Sequence, residues 1–286
     1  MPELPEVETV RQGLAPVMEG AVFKRVEARR PDLRFPLPPG FVRKLTGAKV
    51  DVLSRRGKYL VVTLATGDSL IMHLGMSGRF TISEQSDTQP GQFAHNNETD
   101  QKHDHVIFQM RGARPATVVY NDPRRFGFMD IVKSENLEEC RHFKGMGPEP
   151  LSNHFSVPVL NAALRGKGAS IKTALLDQRN IAGLGNIYVC EALYRAGVSP
   201  RRRAASVYGR RAERLFPAIV NTLREAIKAG GSSLKDFASA EGELGYFQHR
   251  FDVYDREGEP CKACGAVIQR LIQGGRSTFF CPFCQR

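Results

Sequence analysis

Four of the six cysteines stand at the end of the 286-residue chain as two CxxC pairs, Cys261-x2-Cys264 and Cys281-x2-Cys284, with sixteen residues between them. That spacing is the four-thiolate pattern of a zinc site. Each CxxC turn offers two sulfurs to one tetrahedral ion. Four thiolates leave no position for water, so the expected ion is structural and not catalytic. The intervening "RLIQGGRSTFF" has strand-forming residues on both sides of Gly274 and Gly275. A β-hairpin is expected there, with Arg276 near its tip. An arginine in that position can reach a phosphate; a solvated tip arginine is the alternative. Cys140 and Cys190 stand alone and read as small buried apolar side chains.

The charge balance points to a polyanionic partner. The net charge is +11, and it is unevenly shared. Residues 1–150 hold 21 Lys and Arg against 19 Asp and Glu, whereas residues 151–286 hold 20 against 11. A basic half on a globular chain suggests nucleic acid, although surface charge that only maintains solubility is the plainer reading. No apolar run approaches membrane-spanning length. The first residues carry no basic or apolar leader, so a cytoplasmic protein without a disulfide framework is expected.

The periodicity implies an α+β fold. Val7, Val10 and Leu14 fall at helical spacing behind Pro5, which suits a first helical turn. From about Ala21 to Val132 the pattern is strand-like: "KYLVVTL" and "SLIMHL" flank a turn, and "HVIFQM", "ATVVYN" and "FGFMDIV" repeat the theme. These residues predict an N-terminal β-sandwich with the first helix packed on it. Ser83–Asp104 reads as an exposed polar loop; its His95, His103 and His105 lack a repeated ligand spacing, and solvation is favoured over a metal. Beyond "GPEPL" at 147–151 the period becomes helical. A short helix is expected over Ile171–Leu176, a double turn at Gly183 and Gly185, a second helix over Ile187–Arg195 and a longer one ending at Gly230. The expected divisions are a sandwich domain at 1–132, a linker at 133–150, a helical domain at 151–247 and a zinc finger at 248–286.

Four stretches carry chemistry that is ambiguous residue by residue. Exposed N–H groups where the second helix begins, near Asn186, can bind an anion, with Lys172 on the helix before it; plain helix packing explains the same pattern. "HLGMSG" at 73–78 and "NDPRRFG" at 121–127 both lie at strand ends. Met76 and Phe126, beside Arg124 and Arg125, can wedge into a base stack, or they can cover a core. "MPELPE" begins with Pro2 behind the initiator methionine. Once Met1 is removed, Pro2 is a secondary amine titrating near ~8 and is a usable nucleophile toward a sugar carbon. Glu3 beside it can move a proton. Read alone, the same stretch is an acidic helix start.

Taken together and in this order, "MPELPEVET", "GKYL", "HLGMSG", "DPRRFG", "GLGNIY" and the cysteine tail resemble the formamidopyrimidine-DNA glycosylases. The resemblance runs from the first residue nearly to the last, although the 83–104 loop looks longer than usual for the family. It implies a bifunctional glycosylase and abasic-site lyase acting on oxidised purines in duplex DNA. The chemistry would run through a proline iminium with β- and δ-elimination, needing neither magnesium nor a redox cofactor. It implies Pro2 as nucleophile, Glu3 as general acid and base, Glu6 as support, and Lys58 as a catalytic residue that contacts phosphate and assists at the lesion. His73, Lys172, Asn186 and Arg276 would grip the bent DNA backbone. Met76, Arg124 and Phe126 would fill the vacated stack, with Arg124 pairing to the orphaned cytosine. Lys172–Arg195 would form a helix–two-turn–helix, and Ser232–Tyr246 a loop over the flipped base. Cys261, Cys264, Cys281 and Cys284 would hold one structural Zn2+. The expected partner is damaged double-stranded DNA, the expected state a monomer, and the expected location the nucleoid of a bacterial cytoplasm. Two alternatives stand beside this: an endonuclease VIII-like enzyme acting on oxidised pyrimidines, and a non-catalytic zinc-ribbon DNA-binding protein.

Overall fold

The computed structural model describes residues 1–84, 100–232 and 245–286. The chain divides into two compact units: Met1–Lys144 with Gly230–Gly245, and Gly145–Ala229 with Tyr246–Arg286.

The first unit begins with helix α1 (Leu4–Met18), followed by β1 (Val22–Ala28), the short α2 (Phe41–Leu45), and strands β2 (Val50–Arg56), β3 (Tyr59–Leu64), β4 (Asp68–His73), β5 (Arg79–Glu84), β6 (Asp104–Arg111), β7 (Ala116–Asn121) and β8 (Phe128–Lys133). The strands form two antiparallel four-stranded sheets, ordered β1-β6-β7-β5 and β2-β3-β4-β8. The expected helix-bearing sandwich is present. Val7, Val10 and Leu14 of α1 join Phe23, Leu60, Leu70, Phe80 and Phe108 in one buried core. β7 alternates buried and half-buried positions from Ala116 to Tyr120, as a strand with one covered face does, and Asn121 at its end is buried as well. β3 and β4 bury successive residues, so both faces are covered at the middle of their sheet.

Two departures from the sequence expectation lie among the strands. The strand-like region contains α2, only five residues long, whose Phe41 and Leu45 are buried. The expected 83–104 loop loses its ends to strands, since Ser83 and Glu84 belong to β5 and Asp104 opens β6. His103 lies in a single 3-10 turn and His105 is buried in β6, while His95 lies outside the described residues.

The topology places two connections side by side. β4 pairs with β8, matching His73 to Phe128. β5 pairs with β7, matching Arg79 to Asn121. The chain therefore crosses between the sheets twice at one corner, through 74–78 and through 122–127. A Cβ added to Gly75 would lie 2.3 Å from the Gly127 nitrogen, so these two turns touch backbone to backbone.

The second unit carries helices α3 (Val157–Leu164), α4 (Ile171–Leu176), α5 (Asn186–Arg195) and α6 (Arg210–Lys228), then the hairpin β9 (Gln269–Gln273) and β10 (Arg276–Phe280). α4 and the core of α5 fall where the sequence put them; α3 is an addition. The turn between α4 and α5 is braced by side-chain amides. Gln178 Nε2 donates to Leu176 O and Leu184 O, its Oε1 accepts from Gly183 N–H, and Asn180 Nδ2 donates to Ala174 O. Gly183 has φ +81°, which accounts for a glycine there. Of the lone cysteines, Cys190 is buried in α5 as expected, but Cys140 is only half-buried.

Candidate DNA-contact surfaces and zinc centre

In the first unit the candidate residues gather around the N-terminus of α1 and the two touching turns. Glu3 is the N-cap of α1; its backbone N–H donates to Glu6 Oε2 at 2.9 Å, half of a capping box. Pro2 is buried beside it. Glu6 also accepts through Oε1 from both the N–H and the hydroxyl of Ser232, at 2.9 and 3.0 Å. Of the expected Ser232–Tyr246 loop, residues 233–244 lie outside the described residues. Lys58 stands in the β2–β3 turn between Arg56 and Tyr59 and is largely buried.

A cavity of about 680 Å³ opens at this end of the unit, lined in part by Met1, Arg34, His73, Met76, Arg124 and Phe126. The three expected wedge residues are brought together there. Met76 and Phe126 are 37% and 41% exposed, against near-complete burial for the core apolar residues. Core covering is therefore not their role. The Arg124 guanidinium lies over the Phe126 ring, 4.7 Å from its centroid. Arg125 adopts φ +53°, uncommon for a residue with a Cβ.

His73 is held in one chemical form. Its Nδ1 accepts from the Gly75 N–H at 3.0 Å, so the proton sits on Nε2. Its ring stacks on Phe128 with centroids 5.3 Å apart. Burial, then the charges of Lys58 and Arg34 and the neighbouring His142, push its pKa down from 6.5 to about 4. At neutral pH His73 is therefore an uncharged N–H donor. Sequence reading found His73 but missed its neutrality. It also missed Arg34, since a lone arginine in an irregular stretch carries no local signal.

In the second unit, Arg276 is exposed at the first position of β10, next to the Gly274–Gly275 turn, as expected. Asn186 opens α5, and its Nδ2 donates to Ser277 O at 2.9 Å. Lys172 is fully buried. Its Nζ donates to the backbone oxygens of Ser277 at 3.2 Å and Arg276 at 3.4 Å. Both side chains thus hold the strand that carries Arg276. Glu191 is a further buried anchor that sequence reading missed. Its carboxylate accepts the N–H groups of Asp252, Val253 and Tyr254 at 2.8 to 3.0 Å, fixing the chain that leads into the finger. Burial, only partly opposed by those hydrogen bonds, raises its pKa.

The four expected cysteines converge, with sulfurs all within 4.8 Å of one another. A tetrahedron of Zn–S bonds of about 2.3 Å has sulfur–sulfur edges of about 3.8 Å. Cys261 and Cys284 lie at 3.8 Å, and Cys264 and Cys281 at 3.5 Å. The donor set and its size fit zinc. The Tyr194 hydroxyl of α5 lies 3.2 Å from Cys261 Sγ, tying the knuckle to the helix.

Comparison with known proteins matches three family models in sequence order. The formamidopyrimidine-DNA glycosylase N-terminal domain covers residues 1–129, the formamidopyrimidine-DNA glycosylase H2TH domain 146–238, and the zinc finger found in FPG and IleRS 258–286. With the sulfur geometry, the last assigns one structural zinc to Cys261, Cys264, Cys281 and Cys284. The chain is 56% identical to a formamidopyrimidine-DNA glycosylase of Rhodopseudomonas palustris and 57% identical to one of a Caulobacter species, covering all of both proteins. Among solved structures, the MutM (Fpg) protein of Thermus thermophilus is 38% identical, with a TM-score of 0.84 over 99% of this chain and 98% of that one. Lactococcus lactis Fpg, solved in complex with abasic-site DNA, is 34% identical with a TM-score of 0.85 over the whole of both chains. With each segment matched in order and relatives above half identity along the entire length, the chain belongs to the formamidopyrimidine-DNA glycosylase family.

Proposed function

We propose that the chain excises oxidised purines, 8-oxoguanine and formamidopyrimidines, from duplex DNA and then cleaves the strand at the abasic sugar. The observation that carries this reading is a convergence at one cavity: the start of the chain at Met1, the exposed Met76, Arg124 and Phe126, and the neutral donor His73. The kinship to glycosylases solved with lesion-bearing DNA supports it.

The reading requires removal of Met1, which turns the Pro2 nitrogen from an amide into a secondary amine. Near its pKa of ~8, a minority is free base at neutral pH. The lone pair attacks C1′ of the damaged nucleotide, and the glycosidic bond breaks as the base leaves with a proton. Glu3 protonates the ribose ring oxygen, the C1′–O4′ bond opens, and an iminium joins Pro2 to C1′. That iminium is the electron sink that acidifies C2′. Loss of the C2′ proton expels the 3′ phosphate, and a second elimination expels the 5′ phosphate. Glu6 supports the site by holding the Glu3 backbone and Ser232. Lys58 and His73 contact phosphate, the first as a cation and the second through Nε2–H.

Met76, Arg124 and Phe126 fill the gap left by the extruded nucleotide, and Arg124 pairs with the orphaned cytosine. Arg276 grips the backbone, while the fully buried Lys172, contrary to the expected direct DNA contact, acts with Asn186 by fixing its strand. The zinc, when bound, supplies the fold of the finger and no chemical step. We further propose the division into a sandwich domain (1–132), linker (133–150), helical domain (151–247) and finger (248–286). A monomer in the bacterial cytoplasm, associated with the nucleoid and with no membrane partner, fits the reading. Among the described residues no helix is long and apolar enough to cross a membrane.

The test is borohydride capture across a lesion panel. The enzyme is expected to trap on 8-oxoguanine opposite C far faster than on thymine glycol, and Pro2→Gly is expected to lose most of the capture. A preference for the pyrimidine lesion would overturn the substrate assignment.

A further inference from the structure

We propose that Asp122 is a positioning residue that fastens the two wedge-bearing turns into one rigid body, so that Met76, Arg124 and Phe126 enter the base stack as a unit. This rests on the wedge reading above and adds to it the group that holds the wedge in shape.

Asp122 opens a Pro-containing turn, where an aspartate ordinarily stays at the surface and bonds its own turn. Here it is fully buried. Its Oδ1 accepts from the Ser77 hydroxyl at 2.6 Å, across to the other turn. Its Oδ2 accepts from the Gly127 N–H at 2.8 Å and the Tyr120 hydroxyl at 3.2 Å. The Ser77 oxygen in turn accepts from the Arg124 N–H at 3.2 Å. One hydroxyl between Met76 and Gly78 is thus bonded twice to the turn that carries Arg124 and Phe126. The Asp122 backbone is held as well: its N–H donates to His103 O at 3.0 Å, and its carbonyl accepts from His105 Nε2 at 2.9 Å. Tyr120 stays a donor, because burial and then the Asp122 charge push its pKa well up.

A buried carboxylate is tolerated only when its lone pairs are met. This one is met by donors from both turns and from the strand beneath, so the turns cannot separate without exposing its loss. The glycines complete the lock. A Cβ on Gly127 would lie 1.8 Å from the Tyr120 hydroxyl oxygen, and one on Gly78 2.4 Å from it. The wedge side chains themselves are exposed and on loops, where insertion between stacked bases would otherwise carry an ordering cost. Rigid turns remove that cost before DNA arrives.

The experiment uses Ser77→Ala and Asp122→Asn in the full chain, with thermal melting to confirm folding. Three readouts are compared: 2-aminopurine fluorescence beside an 8-oxoguanine, single-turnover excision from duplex, and cleavage of a preformed abasic site in single-stranded DNA, which has no stack to open. Ser77→Ala is expected to weaken the fluorescence change and slow duplex excision about ten-fold, the scale of a lost buried hydrogen-bonded pair. Single-strand cleavage is expected to stay at the native rate. Folded variants that open the stack and excise at native rates would overturn the proposal. So would an equal loss in all three readouts, which marks general damage. If Asp122→Asn does not fold, Ser77→Ala decides. Phe126→Ala separates the two ideas. If it too leaves duplex excision untouched, the wedge reading has failed; if it impairs excision while Ser77→Ala does not, only the positioning role has failed.

Discussion

The corner of the sandwich and the tip of the C-terminal hairpin are stiffened by opposite means. At the sandwich corner, two turns are continuous with four-stranded sheets and are bonded to each other through one buried carboxylate. The hairpin of β9 and β10 is only two-stranded, and such ribbons are marginal in water. Four sulfurs, the Lys172 ammonium and the Asn186 amide hold it instead. The difference teaches where each region is vulnerable. The sandwich site depends on packing distributed over many residues, whereas the finger depends on one ion worth about 10–16 kcal/mol of apparent binding free energy.

Chelation breaks the comparison most severely. Zinc removal from the full chain is expected to abolish amide protection in β9 and β10 and to remove tight DNA binding, while β3 and β4 stay protected in hydrogen exchange. A chelated protein that still binds duplex with native affinity would contradict the division of labour.

A smaller effect sharpens the sandwich side. The folded pKa of His73, about 4, lies below its ordinary 6.5, so folding favours the neutral ring. Its contribution is fully present above pH 6.5 and is lost as the pH falls toward 4. The urea midpoint of the native protein should fall over that interval more steeply than that of His73→Gln. Parallel profiles would mean that the ring is not held neutral.

The smallest effect concerns the hairpin tip. Arg276→Ala should weaken binding on every sequence alike and lower the salt slope by about one phosphate's worth. A sequence-dependent loss would place Arg276 at a base edge.

Much of the fold was legible because it is local. Val7, Val10 and Leu14 marked α1 by spacing alone, and the paired cysteines announced their own cluster. α3 was missed because "SVPVLNAAL" opens with β-branched residues and a proline, which read as loop or strand; its burial of Leu160 and Leu164 is a tertiary matter. α2 was missed because five residues cannot display a helical period. At the site, Pro2, Glu3, Met76, Phe126 and Arg276 were visible as residue types in telling contexts. What Asp122, Lys172 and Glu191 do was not. Each satisfies groups 45 or more residues away, and nothing in a local window distinguishes a buried charge from a solvated one. Asp122 was further disguised, since Asp before Pro is an ordinary way to start a turn.

The central claim is that a secondary amine at Pro2 forms the covalent bond to deoxyribose. Peptide mapping by mass spectrometry of the borohydride-reduced adduct, made with protein whose Met1 has been removed, tests it most directly. The expected result is the sugar remnant on the Pro2 nitrogen, with no adduct on protein that retains Met1. A remnant on Lys58 or any other lysine would contradict it.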